Sequence, residues 1–241
     1  MSSRSNRFII IVAAAAIAAT SSSAAAQSTL YYGGDLNTNN AYTSGINLVR
    51  VHAPNQLVFD NFDIVGQPWL VTSVFGNLLV GQVSPLPSVL NWEVRTGMVA
   101  NGSVGTVVAG GAAAYSANGA TYTLSVSPFT LNAGSYWLSI YADLANTTSG
   151  LTIGAYSTTG TNALNAPGDG AAIWLFGADN NNVGGVANAI PNDISYGVSG
   201  FVSGETITPE PGTWMLVGTG LLAFGAIRRR VSSRGAESRA C

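Results

Sequence analysis

Histidine and cysteine, the side chains that most catalytic and metal centres need, occur once each in this chain, as His52 and Cys241. A Ser-His-Asp triad would have to use His52, which lies in the loop-like stretch Val51-His52-Ala53-Pro54. No Gly-x-Ser-x-Gly elbow accompanies it. Zinc takes three or four nitrogen or sulfur ligands, which the chain cannot supply. There is no phosphate-binding glycine loop. Carboxylates alone can cleave a glycosidic bond when two face each other across it. Asp60 and Asp63 are close in sequence, but the other acids scatter over separate segments. The expectation is a protein with no catalytic residues, and a carboxylate-type hydrolase is the disfavoured alternative.

Two constellations suit binding. The first is oxygen-rich: Asp60-Asn61 with Asp63, Gly168-Asp169-Gly170, and Asp179-Asn180-Asn181-Asn182. Calcium takes six to eight hard oxygen ligands, and Asp60, Asp63, Asp169 and Asp179 are its candidate ligands. Turn and Asx-capping roles account for the same residues more simply. The second constellation is aromatic. Alternation along Tyr136-Trp137-Leu138-Ser139-Ile140-Tyr141 puts Tyr136, Leu138 and Ile140 on one face and Trp137, Ser139 and Tyr141 on the other. If the first set is core, Trp137 and Tyr141 form a pair on which a sugar ring could stack. The alternative is that Trp137 is itself covered.

The elements that must position these residues read as strands. Thr121 to Ser127 alternates cleanly, with Tyr122, Leu124 and Val126 facing one way and only Thr and Ser the other. The pattern predicts Leu124, Val126, Leu138 and Ile140 inside, and Thr123 and Ser125 outside. Leu57 to Val65 reads as a strand interrupted near Asp60-Asn61. Trp69 to Phe75 and Leu78 to Val83 read as a hairpin turning at Gly76-Asn77. Trp92 to Thr96 puts Glu93 and Arg95 on one face, where they can pair. Further strands are predicted over Val104–Ala109, Tyr136–Tyr141, Leu151–Tyr156, Ala171–Phe176 and Tyr196–Val202. The pairs Gly110-Gly111 and Gly184-Gly185 read as turns. About ten short strands without an amphipathic helix predict an all-β fold, a single sandwich. No fixed repeat supports a solenoid.

Charge is concentrated at the ends. The net charge of −2 hides an acidic centre: between residues 27 and 207, nine acids face only Arg50 and Arg95, leaving that segment near −7. Such a segment should not bind nucleic acid. At the N-terminus, Arg4 and Arg7 precede the apolar run Phe8–Ala19 and the small residues Ala24-Ala25-Ala26. This is the pattern of a secretory signal peptide ending before Gln27. At the C-terminus, Thr208-Pro209-Glu210-Pro211-Gly212 leads into an uncharged apolar run to Ile227 and then Arg228-Arg229-Arg230. The run is short for a span of roughly 20 residues, and Arg228 can snorkel to complete it. The arginines fit retention in the cytoplasm. Pro209 and Pro211 keep the segment before the helix extended and open to a protease.

That order of proline box, apolar helix and arginine cluster resembles the PEP-CTERM sorting signal. The resemblance implies cleavage near Glu210 by an exosortase, after transient insertion in the inner membrane, and a cell that makes exopolysaccharide. The organisation read from the chain is a signal peptide over 1–26, a β-sandwich domain over 27–207, the sorting signal over 208–230 and a polar cytoplasmic tail over 231–241. Val58-Phe59-Asp60-Asn61-Phe62, Trp69, Phe129 to Ser139, Asp193-Ile194-Ser195-Tyr196 and Gly200 together resemble the body of choice-of-anchor proteins. That resemblance implies a jelly-roll-like sandwich, similar to carbohydrate-binding modules, and carries no catalytic residues. The implied function is an exported, non-enzymatic envelope or matrix protein associated with exopolysaccharide. A carbohydrate-binding module with a defined sugar site is the alternative.

Overall fold

The computed structural model describes residues 27–46, 55–81, 87–144, 153–177 and 186–203. These fall in one unit, Gln27–Glu205. His52, Arg50, Asp179, Gly184-Gly185, the N-terminal signal and the sorting segment lie outside the described residues.

Every element among the described residues is a strand. In chain order they are β1 (Ser28–Tyr32), β2 (Leu36–Thr43), β3 (Gly45–Ile46), β4 (Asn55–Ile64), β5 (Trp69–Val80), β6 (Val89–Met98) and β7 (Val104–Asn118). They continue with β8 (Thr121–Leu131), β9 (Gly134–Asp143), β10 (Ile153–Thr158), β11 (Ala172–Gly177), β12 (Val186–Ile190) and β13 (Tyr196–Val202). The main hydrogen-bonded path runs β1-β13-β5-β8-β7-β6-β9-β3-β4-β11-β12, with β10 bridging β5 to β2. Pairing is antiparallel except for β3 with β9. The all-β expectation holds, in the form of an antiparallel sheet curled like a half-barrel.

Curling is visible in contacts between strands far apart on that path. The Tyr31 ring of β1 stacks on Phe62 of β4 at 5.0 Å between centroids. The Tyr196 hydroxyl of β13 donates to the carbonyls of Val58 on β4 and Ile140 on β9. Long strands make the curl by changing partners. β7 pairs with β6 along Val104–Ala114 and with β8 along Tyr115–Asn118. The Gly110-Gly111 pair read as a turn lies inside this strand. Gly110 packs over the Trp92 carbonyl, where an added Cβ would sit at 3.0 Å.

Two other expected breaks are also continuous strand. β4 runs unbroken through Asp60-Asn61, because Asp60 to Ile64 pairs in register with Leu138 to Gly134. β5 runs unbroken through Gly76-Asn77, pairing with β8 and β13. Gly76 serves a close approach: a Cβ there would lie 2.6 Å from the Tyr196 ring. Asn77 is buried and donates to Ser195 Oγ at 2.7 Å while accepting from Thr121 Oγ1 at 2.6 Å. Polar side chains that satisfy one another inside a fold need no turn.

The main core joins Leu30, Tyr31, Val58, Phe62, Trp69, Val74, Leu124, Val126, Leu138, Ile140 and Tyr196, among others. The period-2 reading of β8 and β9 is thus correct for Leu124, Val126, Leu138 and Ile140. Ser125 is exposed, while Thr123 is half-buried. A second cluster lies on the opposite face of β4 and β11: Leu57, Phe59, Met98, Ile173, Leu175 and Ala187. Covering both faces of β4 explains why Leu57-Val58-Phe59 is apolar without alternation.

Candidate functional site

On β4, alternation separates the two acids that the sequence brought together. Asp60 points into the main core and is 1% exposed. Asp63 points the other way, is exposed, and accepts a hydrogen bond from Ser135 Oγ. No single cleft holds both, as the odd spacing on an unbroken strand requires.

Asp60 is in an unusual position. One oxygen accepts from the Tyr31 hydroxyl at 2.6 Å. The other, Oδ1, has no hydrogen-bond partner among the described residues. Burial is the main cause that pushes this carboxyl well above its usual range. The Tyr31 bond and the Ile194 backbone amide pull it down, and Asp193 and Asp169 push it up further. The Tyr31 hydroxyl is pushed up in turn, by burial first and by the neighbouring acids next. Asp193 is also raised, chiefly by burial and then by Asp169.

Asp169 approaches this region through Asn61, whose Nδ2 donates to Asp169 Oδ2 at 3.0 Å. Its other oxygen accepts from the Ala171 amide at 3.1 Å, the bond of an Asx turn. Among the described residues, no group of three or more His, Cys, Asp or Glu side chains is arranged to hold a metal ion. Of the four candidate calcium ligands, Asp60 and Asp169 share a neighbourhood, Asp63 sits apart, and Asp179 is outside the described residues. Asp193, which sequence spacing did not connect to them, is the third acid of the neighbourhood.

A pH dependence follows. Between the ordinary carboxylate value and the raised folded value, folded Asp60 holds a proton that the unfolded chain has lost. Stability therefore falls as pH rises through that window. Asp60→Asn keeps an acceptor for Tyr31 and removes the titration. Its unfolding free energy at about pH 8 should exceed the wild type's, because the folded chain no longer has to hold a proton that the unfolded chain has lost. The gain should vanish near pH 2, well below the ordinary aspartate value, where the carboxyl is protonated in both states. Urea titrations at the two pH values check this; an equal difference at both would remove the carboxyl from the argument.

The aromatic pair lies on the face of β9 opposite the main core, as alternation predicts, but that face is covered, and Ser139 between the two rings is fully buried. Both rings are half-buried there and pack on the second cluster, which covers them more than the expected open pair would be. Burial, then Glu93, pushes the Tyr141 hydroxyl up to about 12. Beside them Arg95 Nε donates to Glu93 Oε1 at 3.0 Å, the pairing expected from their shared face. Arg95 also donates to the Val104 carbonyl at 2.9 Å and lies 5.4 Å from the centre of the Phe59 ring. Burial raises the Glu93 carboxyl and Arg95 offsets it. The pair is a satisfied structural anchor between β6 and the start of β7.

A pocket lies elsewhere, at the end of β4. Asp63, Val65, Gln67, Trp69, Asn165 and Pro167 are among the residues that line a pocket of about 430 Å³. Trp69 is a strand residue and part of the choice-of-anchor resemblance, whereas no sequence signal links Gln67 to Asn165, about a hundred residues away.

None of these arrangements names a reaction, and the decisive signal is the segment after Thr208. Residues 208–230 match the PEP-CTERM protein-sorting motif. The PEP-CTERM motif implies an exported protein, sorted to the cell surface and processed by an exosortase. Arg228, Arg229 and Arg230 close the matched segment, and Pro209, Glu210 and Pro211 open it. No curated protein matches the chain.

Proposed function

We propose that this protein is a non-enzymatic component of the cell envelope or extracellular matrix. It is exported, held briefly in the inner membrane by residues 208–230, cut near Glu210 and released to the surface, where it associates with exopolysaccharide. The observation that carries this reading is the PEP-CTERM motif. The non-enzymatic part draws support from the acids of the described residues. Asp60 and Asp63 lie on opposite faces of β4, and Glu93 is tied to Arg95. The curled antiparallel sheet with its enclosed core is compatible with a jelly-roll-like sandwich. An acidic surface whose described arginine is buried favours an uncharged matrix partner over an anionic one.

The test is fractionation of the native host and of a strain unable to make exopolysaccharide. The mature protein should sediment with the matrix in the first and appear free in the medium in the second. Identical distribution in both strains would overturn the association with exopolysaccharide.

A further inference from the structure

The pocket at the end of β4 combines polar and apolar lining. Its polar lining comes from Asp63, Gln67 and Asn165, and apolar surface comes from Val65, Trp69 and Pro167. Its volume of about 430 Å³ falls in the range of small-ligand sites, roughly 300–1,000 Å³. We propose that it is a subsite for one neutral, hydroxyl-rich sugar unit of a polysaccharide. The proposal deepens the matrix reading above and rests on it.

The chemistry of the lining selects the ligand class. Acceptors dominate. Asp63 offers a carboxylate, and Asn165 spends its Nδ2 on the Leu30 carbonyl at 2.8 Å, leaving Oδ1 as an acceptor. Gln67 is exposed and adds an amide with both donor and acceptor. A ligand rich in hydroxyl donors matches this set. A uronate or sulfated unit would meet the Asp63 carboxylate with no cation among the lining residues to offset it. Val65, 90% exposed, and Pro167 give the C–H face of a sugar ring an apolar surface, and Trp69 forms part of the floor.

Two parts of the lining, Trp69 and Asn165, are braced by their own contacts. Trp69 lies parallel to Phe62, 6.0 Å away at 5°, and Phe62 in turn stacks on Tyr31 and Tyr136. The opposite wall is pinned to β1. Tyr32 and Leu164 exchange backbone hydrogen bonds at 2.8 and 2.9 Å. Asn165 holds a left-handed backbone, φ 52°, that asparagine tolerates. Such bracing lowers the ordering cost that weakens binding by mobile loops.

The experiment is affinity electrophoresis of the mature protein recovered from its host. The gels contain dextran, galactomannan, alginate or the host's own exopolysaccharide. Gln67→Ala and Val65→Asp are the variants, both at exposed positions, with melting curves to confirm that each folds. Wild type should be retarded by a neutral polysaccharide, and each variant should bind at least tenfold more weakly at an unchanged melting temperature. Folded variants that bind like wild type would overturn the pocket and leave the matrix reading intact. Retardation by alginate alone, or by the host material but by neither neutral polymer, would overturn the neutral-sugar assignment. No retardation in any gel would overturn both.

Discussion

Phe62→Ala should remove about 3–5 kcal/mol of folding stability, the range for truncating a fully buried phenylalanine. Phe62 is 0% exposed and sits at the centre of an aromatic column. It stacks on Tyr31 at 5.0 Å, Tyr136 at 5.7 Å and Trp69 at 6.0 Å. Each such pair adds about 0.5–1.5 kcal/mol beyond area burial. A domain of this size holds roughly 5–15 kcal/mol in all, so the variant should be close to the edge of folding. The column ties β1 to β4, β5 and β9, so its loss opens the curl and not one strand alone. Tyr31 also carries the hydrogen bond to Asp60, which would loosen with it. The control is Val65→Ala, three positions along the chain and 90% exposed, which should cost a few tenths of a kcal/mol. Urea denaturation of both variants decides the matter, and a loss below about 1 kcal/mol for Phe62→Ala would mean the column does not hold the sheet closed.

Changing the sorting box should have an all-or-none effect. In wild type, intact mass should place the mature C-terminus near Glu210 and the N-terminus near Gln27. With Glu210→Ala, or with Pro209 and Pro211 both replaced by alanine, the chain should keep Arg228-Arg229-Arg230 and stay in the inner-membrane fraction. Prolines cannot continue a helix, so the box is expected to stay extended and within reach of a protease. Alanine at both positions lets helix run into the box and withdraw it. Recovery of a normally trimmed protein at the surface from these variants would overturn the box as the determinant of processing. The folded domain should be unaffected, because residues 208–230 lie outside the unit Gln27–Glu205.

The sorting motif was legible in the sequence, because such a motif is read as a linear segment, and composition and order are all it needs. Local alternation was equally legible. It put Leu124, Leu138 and Ile140 inside and paired Glu93 with Arg95, since a strand's two faces follow from period 2 alone. Strands without strong alternation, such as β2 with its exposed, polar Thr38-Asn39 and the two-residue β3, were missed for the same reason.

Where the chain closes on itself, only the tertiary structure decided. Gly76-Asn77 and Gly110-Gly111 carry turn chemistry, yet lie in strands because both segments pair in register with their neighbours; Gly76 lets the Tyr196 ring approach, and Gly110 sits tight against the Trp92 carbonyl. Trp137 and Tyr141 are half-covered by a cluster assembled from β4, β6, β11 and β12. Asp60 is a buried carboxyl because β1 and the segment before β13 fold over it, bringing Tyr31 and Asp193 from 29 and 133 residues away. The pocket needs Asp63 and Asn165 from opposite halves of the chain. Residue spacing along a strand fixes which way a side chain points. What it meets there is fixed by long-range pairing, and no local pattern encodes that.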